Sequence, residues 1–475
     1  MNLEAFIKKE KDKQIVLVQG LGFVGSVMSL VVANAINGNY AVIGIDQDTG
    51  AGRKTVDLLN SGVFPITADD PKIQEYFESA CKRGNFFATV DPAAYSAADV
   101  IIVDINLDVK KDSNAQYALN NYSVNLEPFT AAMKTIGAYC KPDVLILVET
   151  TVPPGTCKNV VTPVIKNALK ERGLPVDKIR IGHSYERVMP GPDYIDSIQS
   201  FYRVYSGIDN DSANAVEAFL KTIIRTDKYP LTRLGDTNAT EMAKVLENSY
   251  RAMNIAFVVE WSRMAEEAGV DLYEVVNAIR QRPTHSNLMY PGIGVGGYCL
   301  TKDPLLASWS RTNLIGGKDK LAQSETAVSI NDQMPRYAFE FLEKRYSKPL
   351  AGVKVLLLGV SYRGDVGDTR FSPVEYFCRC LLAAKAVVST HDPYVSNWHE
   401  LDLKPRQILS EALGDRPDIA VISTGHRIYR QEETIKALLE SEPLWIYDTI
   451  GFLLKEQIDK LRQKHKVIVL GRGDL

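Results

Sequence analysis

The sequence predicts an α/β protein with two doubly wound parallel-sheet domains joined by a central domain that is built on a long helix. Apolar strand candidates alternate with helical segments in the first part of the chain, and the same alternation returns from about Gly352 onward. Between these regions, residues 240–268 contain neither proline nor glycine and carry apolar residues at helical spacing. We therefore divide the chain into domains at residues 1–232, 233–340 and 341–475.

Composition narrows the class of protein. The chain has 475 residues, of which 45% are hydrophobic and 24% charged, as in an ordinary globular protein with more than one core. A net charge of −3 gives no electrostatic basis for binding nucleic acid or an anionic membrane. The N-terminus has no apolar signal core, so we expect a cytoplasmic protein. Six scattered cysteines without CxxC spacing indicate reduced thiols and no metal site.

The first domain begins with a short apolar strand, the glycine turn GLGFVG, an apolar helix and a second strand that ends in Asp46. This order is typical of a Rossmann-like dinucleotide site, in which the helix N-terminus faces a pyrophosphate and the acid binds a ribose diol. An acid there favours NAD over NADP. The alternative is a glycine-rich turn in another doubly wound sheet. The predicted cofactor contacts are Gly20, Gly22, Phe23, Val24, Gly25, Asp46 and, in the predicted loop QDTGAGRK, Arg53.

Further strands are predicted at residues 99–104, 144–148 and 179–182. The polar or helical segments that precede them favour a parallel sheet. Ligands of such sheets bind outside the carboxyl ends of the strands. Thr151 lies at one of these ends and offers a hydroxyl, or else belongs to an ordinary helix start. Glu186 is a candidate acid or base and Arg187 a candidate anion contact, although each alone also fits a surface residue.

The long central helix carries Lys244 and Asn248 four residues apart and so on one face. A cation and an amide on one face suit a developing oxyanion, while a solvated lysine beside an ordinary asparagine is the alternative. The apolar face of this helix is wider than one domain needs, which predicts a homodimer or a higher homo-oligomer.

The stretch GVGGYCLTKDP joins glycines to a cysteine, a lysine and an aspartate. A thiol beside a cation ionises readily and acts as a nucleophile, and a carboxylate one turn later handles protons. Cys299, Lys302 and Asp303 therefore reach one reacting group if the segment after the cysteine is helical. The same string also fits a turn with a small core cysteine.

A second parallel α/β domain is predicted from about Gly352 onward, and the turn after its first strand has only one glycine at the expected place. It therefore suits a nucleotide other than a dinucleotide. Arg363 and Arg370 lie on the loop after its first strand, where paired arginines suit phosphates, or are surface charges.

Six motifs in order resemble the nucleotide-sugar 6-dehydrogenases, the UDP-glucose, GDP-mannose and UDP-N-acetylhexosamine dehydrogenases. They are GLGFVG, ETTVPPGT, YERVMPG, KVLENSYRAMNIAFVVE, PGIGVGGYCLTKDP and GVSYRGDVGDTRFSP. The resemblance implies an NAD-linked four-electron oxidation of a sugar C6 alcohol to a uronic acid, for surface polysaccharide or glycoconjugate precursors. It also implies that the aldehyde adds to Cys299 as a thiohemiacetal, which is oxidised to a thioester and hydrolysed.

The resemblance also implies roles for single residues. The catalytic set is Cys299, Lys244, Asn248, Asp303, Glu186 and Thr151. Lys302 and Arg370 match contacts to the NAD diphosphate. The substrate contacts are Arg187, Val188, Tyr290, Gly294, Gly296 and Arg363, and the C-terminal domain binds UDP.

YERVMPG and NSYRAMNIAF are most similar to the N-acetylhexosamine branch of that family. The chain departs from the family pattern at three positions. Near Asn106 the family usually has Asn-Thr-Pro, and in place of Arg363 it usually has lysine. Near Thr449 the usual arginine is missing. UDP-glucose and GDP-mannose 6-dehydrogenases stay open as alternatives. More remote alternatives are a two-electron β-hydroxyacid dehydrogenase and a non-catalytic NAD- and nucleotide-binding protein.

Overall fold

A computed structural model describes residues 2–66, 70–188 and 191–475. The strands are β1 (Gln14–Gln19), β2 (Tyr40–Ile45), β3 (Phe86–Thr89), β4 (Val100–Val103), β5 (Val109–Ser113), β6 (Leu119–Val124), β7 (Leu145–Val148), β8 (Arg180–His183), β9 (Val204–Gly207), β10 (Thr232–Arg233), β11 (Lys354–Leu358), β12 (Val387–His391), β13 (Ile419–Ile422), β14 (Trp445–Asp448) and β15 (Lys466–Val469).

The α-helices are α1 (Leu3–Lys9), α2 (Phe23–Ala33), α3 (Gly50–Asn60), α4 (Pro71–Arg83), α5 (Glu127–Tyr139), α6 (Thr162–Glu171), α7 (Tyr194–Gln199), α8 (Asn210–Ile223), α9 (Thr237–Ala268), α10 (Leu272–Arg280), α11 (Asp303–Asn313), α12 (Ala322–Tyr346), α13 (Pro373–Ala383), α14 (Leu409–Gly414), α15 (Glu432–Glu440) and α16 (Lys455–Leu461). In the described part of the chain, none of these helices is both long and apolar enough to span a bilayer.

The chain forms two compact units. The first comprises residues 1–110, 123–246 and 306–320, and the second comprises residues 111–122, 247–305 and 321–475. One of the divisions between them falls inside α9, after Leu246. The predicted helix at residues 240–268 is confirmed and begins three residues earlier, at Thr237.

The first unit is built on an eight-stranded sheet with the strand order β10-β9-β8-β7-β4-β1-β2-β3. The predicted parallel sheet is confirmed for its core, while β8 and β9 pair antiparallel. Its central strands are apolar almost throughout because helices cover both faces. Val18 and Val42 of the sheet share a core with Val31 of α2, so the glycine turn before α2 rests on packed structure.

The second unit is built on a five-stranded parallel sheet with the order β12-β11-β13-β14-β15. Val355 and Leu357 of β11 belong to one buried cluster, and Leu356 and Leu358 belong to another. Successive side chains of a strand point to opposite faces, so the sheet is covered on both sides. The predicted second doubly wound domain is therefore confirmed.

Two parts of the prediction fail. The stretch after Asp46, predicted as a loop, is helical from Gly50, because the Thr49 side chain caps the helix by accepting the Gly52 N–H at 3.1 Å. The two-stranded β5–β6 ribbon was not predicted, since its strands are polar and half exposed. Lys111 of this ribbon pairs with Asp332 of α12 at 2.6 Å within the second unit.

Candidate functional site

The glycine turn of the first unit opens on a cavity of about 660 Å³ at the carboxyl ends of the sheet strands. Gly20 has φ +94°, and an ideal Cβ on Gly25 would lie 1.8 Å from the Gly20 carbonyl oxygen. No side chain is therefore tolerated where the turn meets α2. A Cβ on Gly22 would meet nothing, so backbone N–H groups at the start of α2 are open to a pyrophosphate. The cavity thus fits a dinucleotide.

Asp46 and Asp48 also line this cavity. Asp46 directly follows β2, and its hydrogen bonds with a ribose stay a prediction. Arg53 forms a bidentate pair with Asp48, with contacts of 2.5 and 3.0 Å, in the first turn of α3. Its contact with the cofactor stays a prediction, and so do those of Phe23 and Val24, which begin α2.

Glu186 and Lys244 come together within the first unit. The Lys244 ammonium donates to the Glu186 carbonyl oxygen at 3.0 Å and lies 3.8 Å from its carboxylate. It also lies 5.3 Å from the centre of the Tyr185 ring, a cation–π contact. Both charged side chains are largely buried, which strengthens their interaction. Met189 and Pro190 of the YERVMPG motif lie outside the described residues.

A second ion pair at the same strand ends was not predicted. Arg203 donates to Glu149 at 2.9 Å, and both side chains are almost fully buried. The pKa of Glu149 is raised to about 7, because burial and the charge on Glu186 outweigh the opposing effect of Arg203. The only signal in the sequence was the acid that begins ETTVPPGT. Thr151 is partly exposed beside it, whereas Thr150 donates to the Val103 carbonyl at 3.0 Å.

Glu241 is a buried carboxylate on α9 that was also missed. The Gly155 N–H donates to one of its oxygens at 2.6 Å and the Cys157 N–H to the other at 2.8 Å. It therefore fixes the turn that follows the motif residue Thr151. Burial raises the pKa of Glu241 to about 7, against hydrogen bonds from these backbone groups that lower it.

The cysteine stretch lies in the second unit. Cys299 is exposed, and its carbonyl oxygen accepts the N–H groups of Lys302 at 3.2 Å and Asp303 at 2.9 Å. Residues 298–302 form a turn and not a regular helix, and α11 begins directly after them at Asp303. The buried Asp303 carboxylate accepts from Lys302 at 2.9 Å and from the Asn248 amide at 2.6 Å. Lys302 also lies 4.5 Å from the centre of the Tyr298 ring.

The glycines before the cysteine meet the loop after β11. An ideal Cβ on Gly296 would lie 2.4 Å from the Phe371 carbonyl oxygen, and one on Gly297 would lie 2.8 Å from the Tyr362 ring. Gly294 has φ +128° and packs against Pro373. These glycines allow two backbone segments to approach. Their predicted contact with a substrate is a separate matter and stays a prediction.

The remaining predicted residues occupy varied positions. Arg187 stacks on Tyr185 and Phe201 at 5.5 Å, and the Val188 N–H donates to the Glu186 carboxylate. Tyr290 is exposed and donates to Asn277 at 2.5 Å.

The two arginines of the loop after β11 were predicted to face phosphates. Arg370 forms a bidentate pair with Asp368 at 2.8 and 3.0 Å, and Arg363 is exposed on the same loop. Their contacts with a ligand stay predictions.

Three family models match the chain in order. They describe the NAD binding domain, the central domain and the UDP binding domain of the UDP-glucose/GDP-mannose dehydrogenase family, at residues 14–224, 238–333 and 356–455.

Individual relatives are similar over nearly the whole chain. The UDP-N-acetyl-D-mannosamine dehydrogenase of Methanocaldococcus jannaschii is 31% identical over 98% of this chain and 99% of its own. The structure of the Pyrococcus horikoshii UDP-D-ManNAc dehydrogenase superposes with a TM-score of 0.79 at 26% identity, covering 97% of this chain and 100% of that one. A UDP-glucose dehydrogenase from Pyrobaculum islandicum has the same fold, with a TM-score of 0.77 at 23% identity over 97% and 98% of the two chains.

We predict that Glu241→Gln gains stability relative to the unmodified protein as the pH rises from about 4.5 to about 7. A carboxyl with a raised pKa in the folded state is stabilising below its ordinary value of 4.5 and loses that contribution as the pH rises through its folded pKa. Glutamine does not titrate, so the variant does not lose stability over this pH range in the same way. The measurement is the difference between the two urea midpoints at each pH.

Glu267→Gln, at an exposed position on the same helix, is the matched control, and its midpoint should follow the unmodified protein at every pH. A constant difference between Glu241→Gln and the unmodified protein from pH 4 to 8 would contradict the assignment.

Proposed function

The chain belongs to the UDP-glucose/GDP-mannose dehydrogenase family and is an NAD-dependent nucleotide-sugar dehydrogenase, and we propose that it oxidises the C6 alcohol of a UDP-N-acetylhexosamine to the uronic acid. The three-domain division at residues 1–232, 233–340 and 341–475 and the cytoplasmic location form part of this proposal.

One observation carries the four-electron reaction. Cys299 is exposed on a turn whose geometry is fixed by the buried Asp303, in a chain that also has a dinucleotide cavity. An ordered, accessible thiol is what covalent oxidation of an aldehyde requires. A two-electron dehydrogenase needs no such thiol, and a non-catalytic binding protein needs none either.

The chemistry balances with two molecules of NAD and one of water. When bound, NAD supplies the hydride acceptor for both oxidations. Between them, the sulfur of Cys299 bonds to the aldehyde carbon, and the carbonyl oxygen takes up a proton to give a thiohemiacetal. Loss of the second hydride and a proton leaves a thioester. Water then attacks the acyl carbon, the C–S bond breaks, and the carboxylate leaves with the thiol restored.

We assign the other residues by their surroundings. Lys244, a buried cation paired with Glu186, stabilises oxyanions of the sugar during hydride transfer and acyl transfer. Asn248 and Lys302 hold the Asp303 carboxylate, which orients water or a base for thioester hydrolysis. We retain the predicted roles of Glu186 in thioester hydrolysis and of Thr151 as a contact near the nicotinamide.

An N-acetylhexosamine is favoured by the relatives. The M. jannaschii and P. horikoshii proteins are described as acting on UDP-N-acetylmannosamine, and the former is the relative with 31% identity. We therefore place UDP-N-acetylmannosamine first among substrates, before other UDP-N-acetylhexosamines.

A panel of nucleotide sugars tests this assignment. We expect NADH formation with UDP-N-acetylmannosamine at two NADH per sugar, and turnover that is much slower with UDP-glucose and GDP-mannose. One NADH per sugar would identify a two-electron dehydrogenase, and none with any sugar would identify a binding protein. A preference for UDP-glucose or GDP-mannose would retain the family and overturn the substrate.

We predict that Cys299→Ser lowers net formation of the acid by on the order of a hundredfold or more, because an alkoxide is harder to generate than a thiolate. The measurement is uronic acid released per enzyme over time. Cys81→Ser replaces another exposed cysteine and should leave the rate unchanged. Near-normal acid formation by Cys299→Ser would exclude the covalent route.

The homodimer is also part of the proposal. α9 exposes Tyr250, Phe257, Trp261 and Met264, each about half accessible, at spacings that place them on one side of the helix. A contiguous apolar row of this kind is typical of a protein–protein contact, and a second copy of the chain is the partner that we propose.

We predict that Trp261→Glu shifts the protein toward the monomer, since a buried unpaired carboxylate weakens an apolar interface. Sedimentation velocity across a concentration series measures the shift. Leu382→Glu places the same charge at an exposed leucine on α13 and should not change the oligomeric state. An unmodified protein that sediments as a monomer would refute the dimer.

A further inference from the structure

Asp104 is an acidic residue that lies beside the glycine turn and lines the dinucleotide cavity. It directly follows β4, and its N–H donates to the Gln19 carbonyl at 2.8 Å, next to the glycine turn. An ideal Cβ on Gly20 would lie 2.4 Å from the Asp104 carbonyl oxygen, and one on Gly25 would lie 3.3 Å from the Asp104 Cβ. Asp104 also lines the cavity with Gly20, Gly22 and Asp46. It therefore borders the turn that accepts a pyrophosphate.

The charges around Asp104 do not balance if it is ionised. Glu149 pairs with Arg203 at 2.9 Å, and Glu186 lies 3.8 Å from Lys244. Among the described residues, no cation pairs with Asp104, and its Oδ2 is buried without a hydrogen-bond partner. Glu149 Oε2 is likewise buried and unpartnered in this part of the chain. Three carboxyl groups thus share two cations.

The elements packed around Asp104 carry further charged or titratable groups near it. Glu149 follows β7, Glu186 follows β8, and Arg203 precedes β9. Asp46 lies further along the same cavity. His183 adds no charge, since burial, together with the charges of Lys244 and Arg203, lowers its pKa to about 3. Burial raises the pKa of Asp104 well above its usual range, and the charges of Glu149 and Glu186 act in the same direction while Arg203 opposes them.

We propose that Asp104 is a cofactor-binding residue that holds the dinucleotide only as a neutral acid, donating a hydrogen bond to an oxygen of the bound NAD. A pyrophosphate brings two negative charges into a cavity of low dielectric, where an ionised Asp104 repels them. A protonated carboxyl carries no such repulsion and has an O–H to donate. Binding of NAD is then linked to uptake of a proton wherever Asp104 is ionised in the free protein.

The first test measures binding without turnover. Isothermal titration of the full-length protein with NAD⁺ and with ADP-ribose, from pH 6 to pH 10, gives the dissociation constant at each pH. We expect it to rise by up to about tenfold per pH unit above the pKa of Asp104. Titration in buffers of different ionisation enthalpy should show uptake approaching about one proton per site over the same range. Affinity that does not change with pH, or binding without proton uptake, would overturn the proposal.

Variants locate the titrating group. Asp104→Asn keeps the shape and stays neutral, so its affinity should be independent of pH and should exceed that of the unmodified protein at high pH. Glu149→Gln removes a neighbouring negative charge, and the fall in affinity should begin at lower pH. Asp48→Asn, at another carboxylate of the same cavity, is the matched control and should keep the pH dependence unchanged.

A pH dependence that persists in Asp104→Asn would assign the proton to another group and overturn the proposal. If this variant does not fold, the proton uptake of the unmodified protein and the shift in Glu149→Gln still test the proposal. Neither measurement involves the sugar, so the result is independent of the substrate assigned above.

Discussion

The position of Cys299 depends on one buried carboxylate, that of Asp303. The side chain is fully buried and its two oxygens accept from Lys302 at 2.9 Å and Asn248 at 2.6 Å. Its backbone N–H meanwhile donates to the Cys299 carbonyl at 2.9 Å. A buried carboxylate deprived of its cation costs about 3–5 kcal/mol, so Lys302 cannot leave without disturbing the turn. The cysteine is thus exposed on a turn that is anchored by a charge that solvent does not reach.

The first unit also contains buried carboxylates, but their oxygens are less completely paired with cations and hydrogen-bond donors. Parallel strands end at one edge, where backbone N–H groups and side chains from neighbouring strands converge. Glu241 satisfies the N–H groups of Gly155 and Cys157, which makes it a structural residue. Glu149 has one cation partner, Arg203, and keeps an oxygen without a partner among the described residues. Incomplete pairing of this kind is typical of functional sites, where perturbed pKa values gather.

Local patterns in the sequence predicted most of the fold but only part of the site. The glycine turn, the acid after β2 and α9 follow from periodicity and from the steric needs of single residues. Helical spacing placed Lys244 and Asn248 on one face, but it did not indicate that Asn248 donates to Asp303, 55 residues further along the chain. Arg203 and Glu241 gave no signal, because a buried ion pair is defined only after distant segments pack. The helix at Gly50 was missed because the string QDTGAGRK is glycine-rich and polar, which suggested a loop, whereas the Thr49 cap favours a helix.

The glycines of the cysteine stretch take on a different meaning in the structure. The sequence suggested that they admit a ligand, whereas Gly296 and Gly297 are in contact range of Phe371 and Tyr362. Burial raises the pKa of Tyr362, and the charges of Asp368 and Cys299 act in the same direction while Arg363 and Arg370 oppose them. The loop after β11 cannot move without shifting these glycines or losing the contact. If that loop holds a nucleotide, as we propose, the nucleotide also constrains the backbone that presents Cys299.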